Sequence, residues 1–134
     1  MAIKNILVAE DNPDDAFIFK RAFKKATLPH AMEIVDDGQQ VINWLSGAGD
    51  FADRTRFPLP DVVILDLKMS IKTGFEALEW IRNHAQFRDM PAVVLTSSDD
   101  PRDLKRANDL RATAFFVKSP HLRDVMEYLQ KTTF

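Results

Sequence analysis

The chain contains no cysteine. That excludes a disulfide framework and any thiolate metal site, and it suits a reducing, cytoplasmic setting. Its three histidines, His30, His84 and His121, are scattered and form no cluster of metal-ligand spacing. No apolar stretch approaches the roughly 20 residues that cross a bilayer. The N-terminal run from Met1 turns acidic at Glu10 before a signal-peptide core is complete. Neither sign of charge dominates: 18 basic and 20 acidic side chains leave a formal net charge of -2. With that balance, neither direct nucleic-acid binding nor attachment to an anionic membrane is expected.

What is present suffices for one domain spanning residues 1–134, with 46% apolar residues for a core. Short apolar runs alternate with helical patterns. Ile3 to Ala9 reads as a buried strand. Asn12-Pro13-Asp14-Asp15 then starts a helix, with Asn12 as cap, proline in the first turn and acids at the positive end of the dipole. Ala16, Phe19, Phe23 and Ala26 share one face of it, and Leu28-Pro29 stops it. Met32 to Val35 is a weaker strand, and Gly38 to Leu45 a short helix carrying Val41, Ile42 and Leu45. Ser46 to Pro60 reads as a polar loop longer than the usual connection, either a segment with a specific role or a tolerated insertion.

Asp61 to Leu65 is the clearest buried strand, with Asp66 at its carboxyl end. Gly74 to Ile81 is helical, Ala92 to Leu95 a strand, and Asp100-Pro101 opens another helix. Ala114 to Val117 is the fifth strand, and Leu122, Val125, Met126 and Leu129 form the stripe of a final helix. Five strands alternating with five helices predict an α/β, flavodoxin-like, doubly wound parallel sheet of order 2-1-3-4-5. Ligands of such sheets sit beyond the carboxyl ends of the strands. Those ends deliver Glu10 and Asp11, Asp66, Thr96 and Lys118.

Each of these residues has an ordinary explanation alone: a turn former, a rim acid, a local backbone partner, a surface ion pair. Together they make three acids, a hydroxyl and a lysine converge on one crevice. Two like charges about 4 Å apart repel by on the order of 4 kcal/mol at an effective dielectric near 20. Such a site protonates an acid, pairs with Lys118, or binds a hard cation; Mg2+ suits an all-oxygen site with few protein ligands. A carboxylate there can act as a nucleophile toward phosphorus.

The motifs Val8-Ala9-Glu10-Asp11-Asn12, Leu65-Asp66-Leu67-Lys68-Met69 with Gly74, Leu95-Thr96-Ser97 and Phe116-Val117-Lys118 resemble those of response regulator receiver domains, over essentially the whole chain. The resemblance implies a stand-alone, CheY-like receiver in a two-component system. In it Asp66 would take a phosphoryl group from a sensor histidine kinase. Asp11, Asp66 and the Lys68 carbonyl would ligate Mg2+, with Glu10 acting through water. Lys118 would contact the phosphoryl group, Thr96 and Phe115 would be the switch pair, and Lys68 and Ser98 would tune phosphate lifetime. Ser119 stands where the family usually has proline directly after the lysine, and Ser70 also replaces a common proline. The long segment before the third strand, with Trp44 and Phe51, resembles that of regulators paired with bacterial phytochromes.

The reading implies a phosphoacceptor and not a turnover enzyme. Output is expected through binding to a downstream protein, with the last helix and strands four and five as the candidate surface. Arg102, Lys105, Arg106 and Arg111 make the fourth helix basic, either as a solvated face or as part of a homodimer or docking site. A phosphorelay intermediate that hands phosphate to a histidine phosphotransfer protein fits the same residues, and so does a phosphate-independent docking module. An aspartate-nucleophile phosphatase wants a carboxylate where Lys68 stands. A flavin carrier wants a hydroxyl- and glycine-rich loop where this chain is acidic.

Overall fold

The computed structural model describes residues 5–120 and 122–132. Five parallel strands form one sheet: β1 (Asn5–Ala9), β2 (Ala31–Val35), β3 (Val62–Leu65), β4 (Ala92–Thr96) and β5 (Ala114–Val117), in the order β2-β1-β3-β4-β5. The helices between and after them are α1 (Pro13–Lys25), α2 (Gly38–Ser46), α3 (Gly74–Asn83), α4 (Pro101–Asp109) and α5 (Arg123–Lys131). This is the flavodoxin-like topology that the alternating pattern predicts. The first residues of the expected strand one, Ile3 and Lys4, lie outside the described residues, as does His121.

Side-chain alternation along the strands divides the core in two. Leu7, Val63, Leu65 and Val94 face one way, onto Val41 and Leu45 of α2 and Leu78 and Ile81 of α3. Ile6, Val8, Ile64 and Val93 face the other way, onto Phe19 of α1 and Val125 and Leu129 of α5. Residues of β1, β3 and β4 are buried on both faces, as a sheet covered by helices on both sides requires.

Register positions the site. Ala9 pairs with Leu65, so the next residues, Glu10 and Asp66, stand level at neighbouring strand ends. Thr96 pairs with Val117, which brings Lys118 alongside, and the Lys118 N–H donates to the Thr96 carbonyl at 2.7 Å. The helix starts are sequence-encoded. Asn12 accepts from the N–H groups of Asp14 and Asp15, and Asp100 caps α4 ahead of Pro101. Thr73 and Glu76 close a capping box on α3.

The segment 46–60 departs from expectation. It is a packed substructure and not a featureless polar loop. A 3-10 turn over Gly49–Ala52 brings Phe51 to 5.3 Å from Trp44, and Phe57 completes the cluster at 5.2 and 4.9 Å from the two rings. Trp44 donates its indole N–H to the Pro58 carbonyl at 2.9 Å. Arg54 donates to the carbonyls of Trp44, Leu45 and Phe57. The first two belong to the last turn of α2, where a cation complements the dipole; the Trp44 carbonyl also accepts the Gly47 N–H at 3.3 Å. Polar composition hid this packing because its aromatics are spread over 14 residues and meet only after the chain turns back. Arg54→Ala should therefore destabilise the protein by roughly 2 kcal/mol, the scale of charge-assisted bonds left unmade. Urea denaturation checks this; an unchanged midpoint would show that water replaces the guanidinium without loss.

Candidate phosphoacceptor and cation site

Glu10, Asp66 and Thr96 are buried polar residues at the carboxyl ends of β1, β3 and β4, 6%, 8% and 0% exposed. Lys118 follows β5, and its ammonium reaches across to them. It donates to Glu10 Oε1, to Asp66 Oδ2 at 2.9 Å and to Asp15 Oδ2 at 2.8 Å. Carboxylate oxygens of Glu10, Asp15 and Asp66 lie within 4.8 Å of one another. The pocket they face has an apolar floor that includes Val8, Phe19, Ile64 and Leu95.

The structure thus gathers Glu10, Asp66 and Lys118 as expected, and adds an acid the sequence reading did not place there. Asp11 is exposed; its Oδ2 accepts the Ser70 N–H at 3.1 Å, and Lys118 pairs with Asp15 instead. Asp15 is in the first turn of α1, where the sequence reading assigned it only to the helix dipole. Spacing was the available signal: Asp15 stands four residues before Phe19, one helical turn along the same face, and Phe19 is 2% exposed.

Three carboxylates around one ammonium set the electrostatics. Burial pushes the Glu10 carboxyl up to about 7; the hydrogen bond from Lys118 opposes this, and the nearby Asp66 charge adds to it. Burial disfavours the Lys118 ammonium, but hydrogen bonds to Asp15, Glu10 and Asp66 outweigh it and hold the lysine above its ordinary value. Such an oxygen-rich, charge-strained donor set fits a hard divalent cation. The Glu10 shift also carries a stability consequence. Between about 4.5 and 7 the folded form binds a proton that the unfolded form has released, so stability falls as pH rises through that window. The expected loss is at most about 3 kcal/mol. Lys118 stays protonated throughout this window and contributes no slope. Denaturant titrations from pH 5 to 8, without added metal, should show the decline in wild type and lose it in Glu10→Gln; equal slopes would refute the assignment.

Residues 6–130 match the family described as the response regulator receiver domain. The chain belongs to that family. The response regulator Rcp1 of Synechocystis is 29% identical over 95% of this chain and 84% of its own length. A solved structure of the phosphorylated cyanobacterial phytochrome response regulator RcpA superposes with a TM-score of 0.83, at 29% identity over 96% of this chain and 90% of that one. A response regulator in red light signaling of R. palustris superposes at 0.86, with 28% identity and the same coverage. Rcp1 itself has also been solved in a Mn(2+)-bound form, with a TM-score of 0.80, 29% identity and 95% and 89% coverage. The likeness to phytochrome response regulators expected from the segment around Trp44 is therefore found.

Thr96 accepts the Ser98 N–H on Oγ1 at 3.2 Å. Ser98 turns its own hydroxyl onto Asp103 of α4, at 2.5 Å. Phe115 is half-buried and packs with the α2/α3 side of the core. Lys68 is exposed, and its N–H donates to Asp66 Oδ1 at 3.2 Å. The Lys118-Ser119 peptide is trans, as are all the described peptide bonds. On α4 the basic run is largely engaged within the chain: Arg102 pairs with Asp100, Lys105 with Asp109, and Arg106 lies 4.2 Å from the centre of the Phe75 ring. No helix among the described residues is long and apolar enough to cross a membrane.

Proposed function

We propose that this receiver domain accepts a phosphoryl group on Asp66 from a phosphohistidine of a sensor histidine kinase, in a Mg2+-dependent reaction, and signals through a changed binding surface. The observation that carries the reading is the placement of Asp66: it is buried at a strand end, its two oxygens held by the Lys68 N–H and the Lys118 ammonium. An Asp66 oxygen attacks phosphorus, the P–N bond breaks, and an acyl phosphate forms as the imidazole leaves with its electron pair and takes a proton. Lys118 is placed to offset charge on the transferred oxygens. Glu10 and Asp66, with Asp11 and the Lys68 carbonyl following from the family resemblance, would hold the cation. When bound, it neutralises charge on the phosphoryl oxygens and helps keep donor and acceptor in line.

Under this reading the chain is a phosphoacceptor that catalyses its own phosphorylation and dephosphorylation, and not a turnover enzyme. It works in the cytoplasm with a kinase of the phytochrome type, as its relatives' names suggest. The output surface is α4, β5 and α5, where Leu104 and Val117 are exposed and Phe115 is half-buried. The reading is tested by intact-mass analysis after incubation with acetyl phosphate and Mg2+. One phosphoryl adduct is expected, and peptide mapping after borohydride reduction should place it at Asp66. No adduct, or one on another residue, overturns the assignment.

A further inference from the structure

The Lys118 ammonium has three protons and three carboxylate partners: Glu10, Asp15 and Asp66. With Asp66 read as the phosphoacceptor, the three partners differ in what the reaction does to them. Asp66 exchanges its carboxylate for an acyl phosphate. Glu10, 6% exposed, lies among the oxygens that would hold the cation. Asp15 enters from α1, at the rim, with its side chain 36% exposed against 6% and 9% for the other two. Phosphoryl transfer leaves its charge as it was.

We propose that Asp15 is a positioning residue for phosphoryl transfer: it anchors the Lys118 ammonium beside Asp66 while the lysine's other two partners change state. This rests on the phosphoacceptor reading above. A lysine head rides on a flexible four-carbon stem, and it is useful in a reaction only if something holds it. Asp15 can hold it because α1 is itself fixed. Phe19, one turn further along the same face, is 2% exposed and packs into the α1/α5 half of the core with Ile64, Leu95 and Leu122. The anchor joins α1 to the residue that follows β5.

The test is a time course of phosphoryl uptake from acetyl phosphate at saturating Mg2+, read by intact mass. Asp15→Ala should lower the maximal rate at least several-fold, up to the roughly 100-fold scale of a group misplaced by about 1 Å. The half-saturating concentrations of Mg2+ and acetyl phosphate should stay where they are. Asp15→Asn keeps an acceptor oxygen for the ammonium and should fall between wild type and Asp15→Ala. Asp14→Ala removes a neighbouring exposed acid from the same helix turn and should leave the rate unchanged. A urea midpoint shows that each variant is folded; if Asp15→Ala is not, Asp15→Asn carries the test.

A wild-type or faster rate in the Asp15 variants overturns the anchor. So does an equal loss in Asp14→Ala, which assigns the effect to helix charge. A shifted half-saturating Mg2+ with an unchanged maximal rate overturns it as well, because Asp15 is then a cation ligand. Wild-type protein that takes up no phosphoryl group fails the functional reading itself; labelled wild type with a fully active Asp15→Ala fails only the anchor.

Discussion

Asp66→Asn should take up no phosphoryl group from acetyl phosphate while remaining folded and at least as stable as wild type at neutral pH. The first half follows from chemistry. The amide is a far weaker nucleophile toward phosphorus than the carboxylate, whose two oxygens are held by the Lys68 N–H and the Lys118 ammonium. The second half follows from charge. Wild type packs three carboxylates around one ammonium. Removing one leaves Lys118 with Glu10 and Asp15, and the new amide oxygen still accepts the Lys68 N–H. Asp66 helps push Glu10 up to about 7, so its replacement should bring Glu10 back toward its ordinary value of 4.5. Between two like charges at this spacing the repulsion relieved is on the order of a few kcal/mol. Thermal melts at pH 7 without metal measure the stability, and intact mass measures the uptake. A labelled Asp66→Asn protein would move the acceptor elsewhere. A variant several kcal/mol less stable than wild type would mean that Asp66 is held mainly for structure.

Gly74→Ala should be the most damaging small substitution in the chain. Gly74 is the first residue of α3, and its N–H donates to the Leu67 carbonyl at 3.2 Å. A Cβ built on it would stand 2.2 Å from the Asp66 carbonyl oxygen, 2.9 Å from the Asp66 carbonyl carbon and 3.0 Å from the Leu67 Cα. All three are backbone atoms, so no side chain can swing aside; α3 or the end of β3 must move. Forced overpacking of this kind costs about 3 kcal/mol or more. Because the displaced atoms belong to Asp66, uptake of a phosphoryl group should fall in whatever protein still folds. Gly49→Ala is the informative contrast. Gly49 has φ +56 but nothing within 4 Å of a built Cβ, so only backbone strain of about 1 kcal/mol is expected there, with uptake intact. Equal stability of the two variants would refute the argument from space.

Much of this was legible without coordinates because it is local or periodic. The strand expected over Asp61 to Leu65 and found over Val62–Leu65, the Asn12 and Asp100 caps and the stripe from Leu122 to Leu129 are short-range patterns. Strand order followed from alternation and handedness. Once strands are parallel and in register, the residues at their carboxyl ends lie side by side, and so Glu10, Asp11, Asp66, Thr96 and Lys118 could be named from sequence, of which Glu10, Asp66 and Lys118 are joined by hydrogen bonds.

Direction of side chains was a different matter. Asp11 and Asp15 lie four residues apart, and the one local hint as to which turns inward is the helical spacing of Asp15 from Phe19. Packing decides it: Phe19 docks α1 on the sheet so that Asp15 faces Lys118, while Ser70 offers Asp11 a backbone N–H outside the pocket. Ser98, to which the family resemblance gives a part in phosphate lifetime, turns its hydroxyl onto Asp103. The segment 46–60 reads as polar by composition and is ordered by contacts between Trp44, Phe51, Phe57 and Arg54 that exist only after the chain folds back on α2. By itself, then, the sequence determined the elements, their order and the strand ends that carry the chemistry, since backbone preference and hydrophobic period act over a few residues. Only the tertiary structure decided which acids share the lysine, because several backbone and side-chain partners compete for each carboxylate and the winner depends on where the folded helices come to rest.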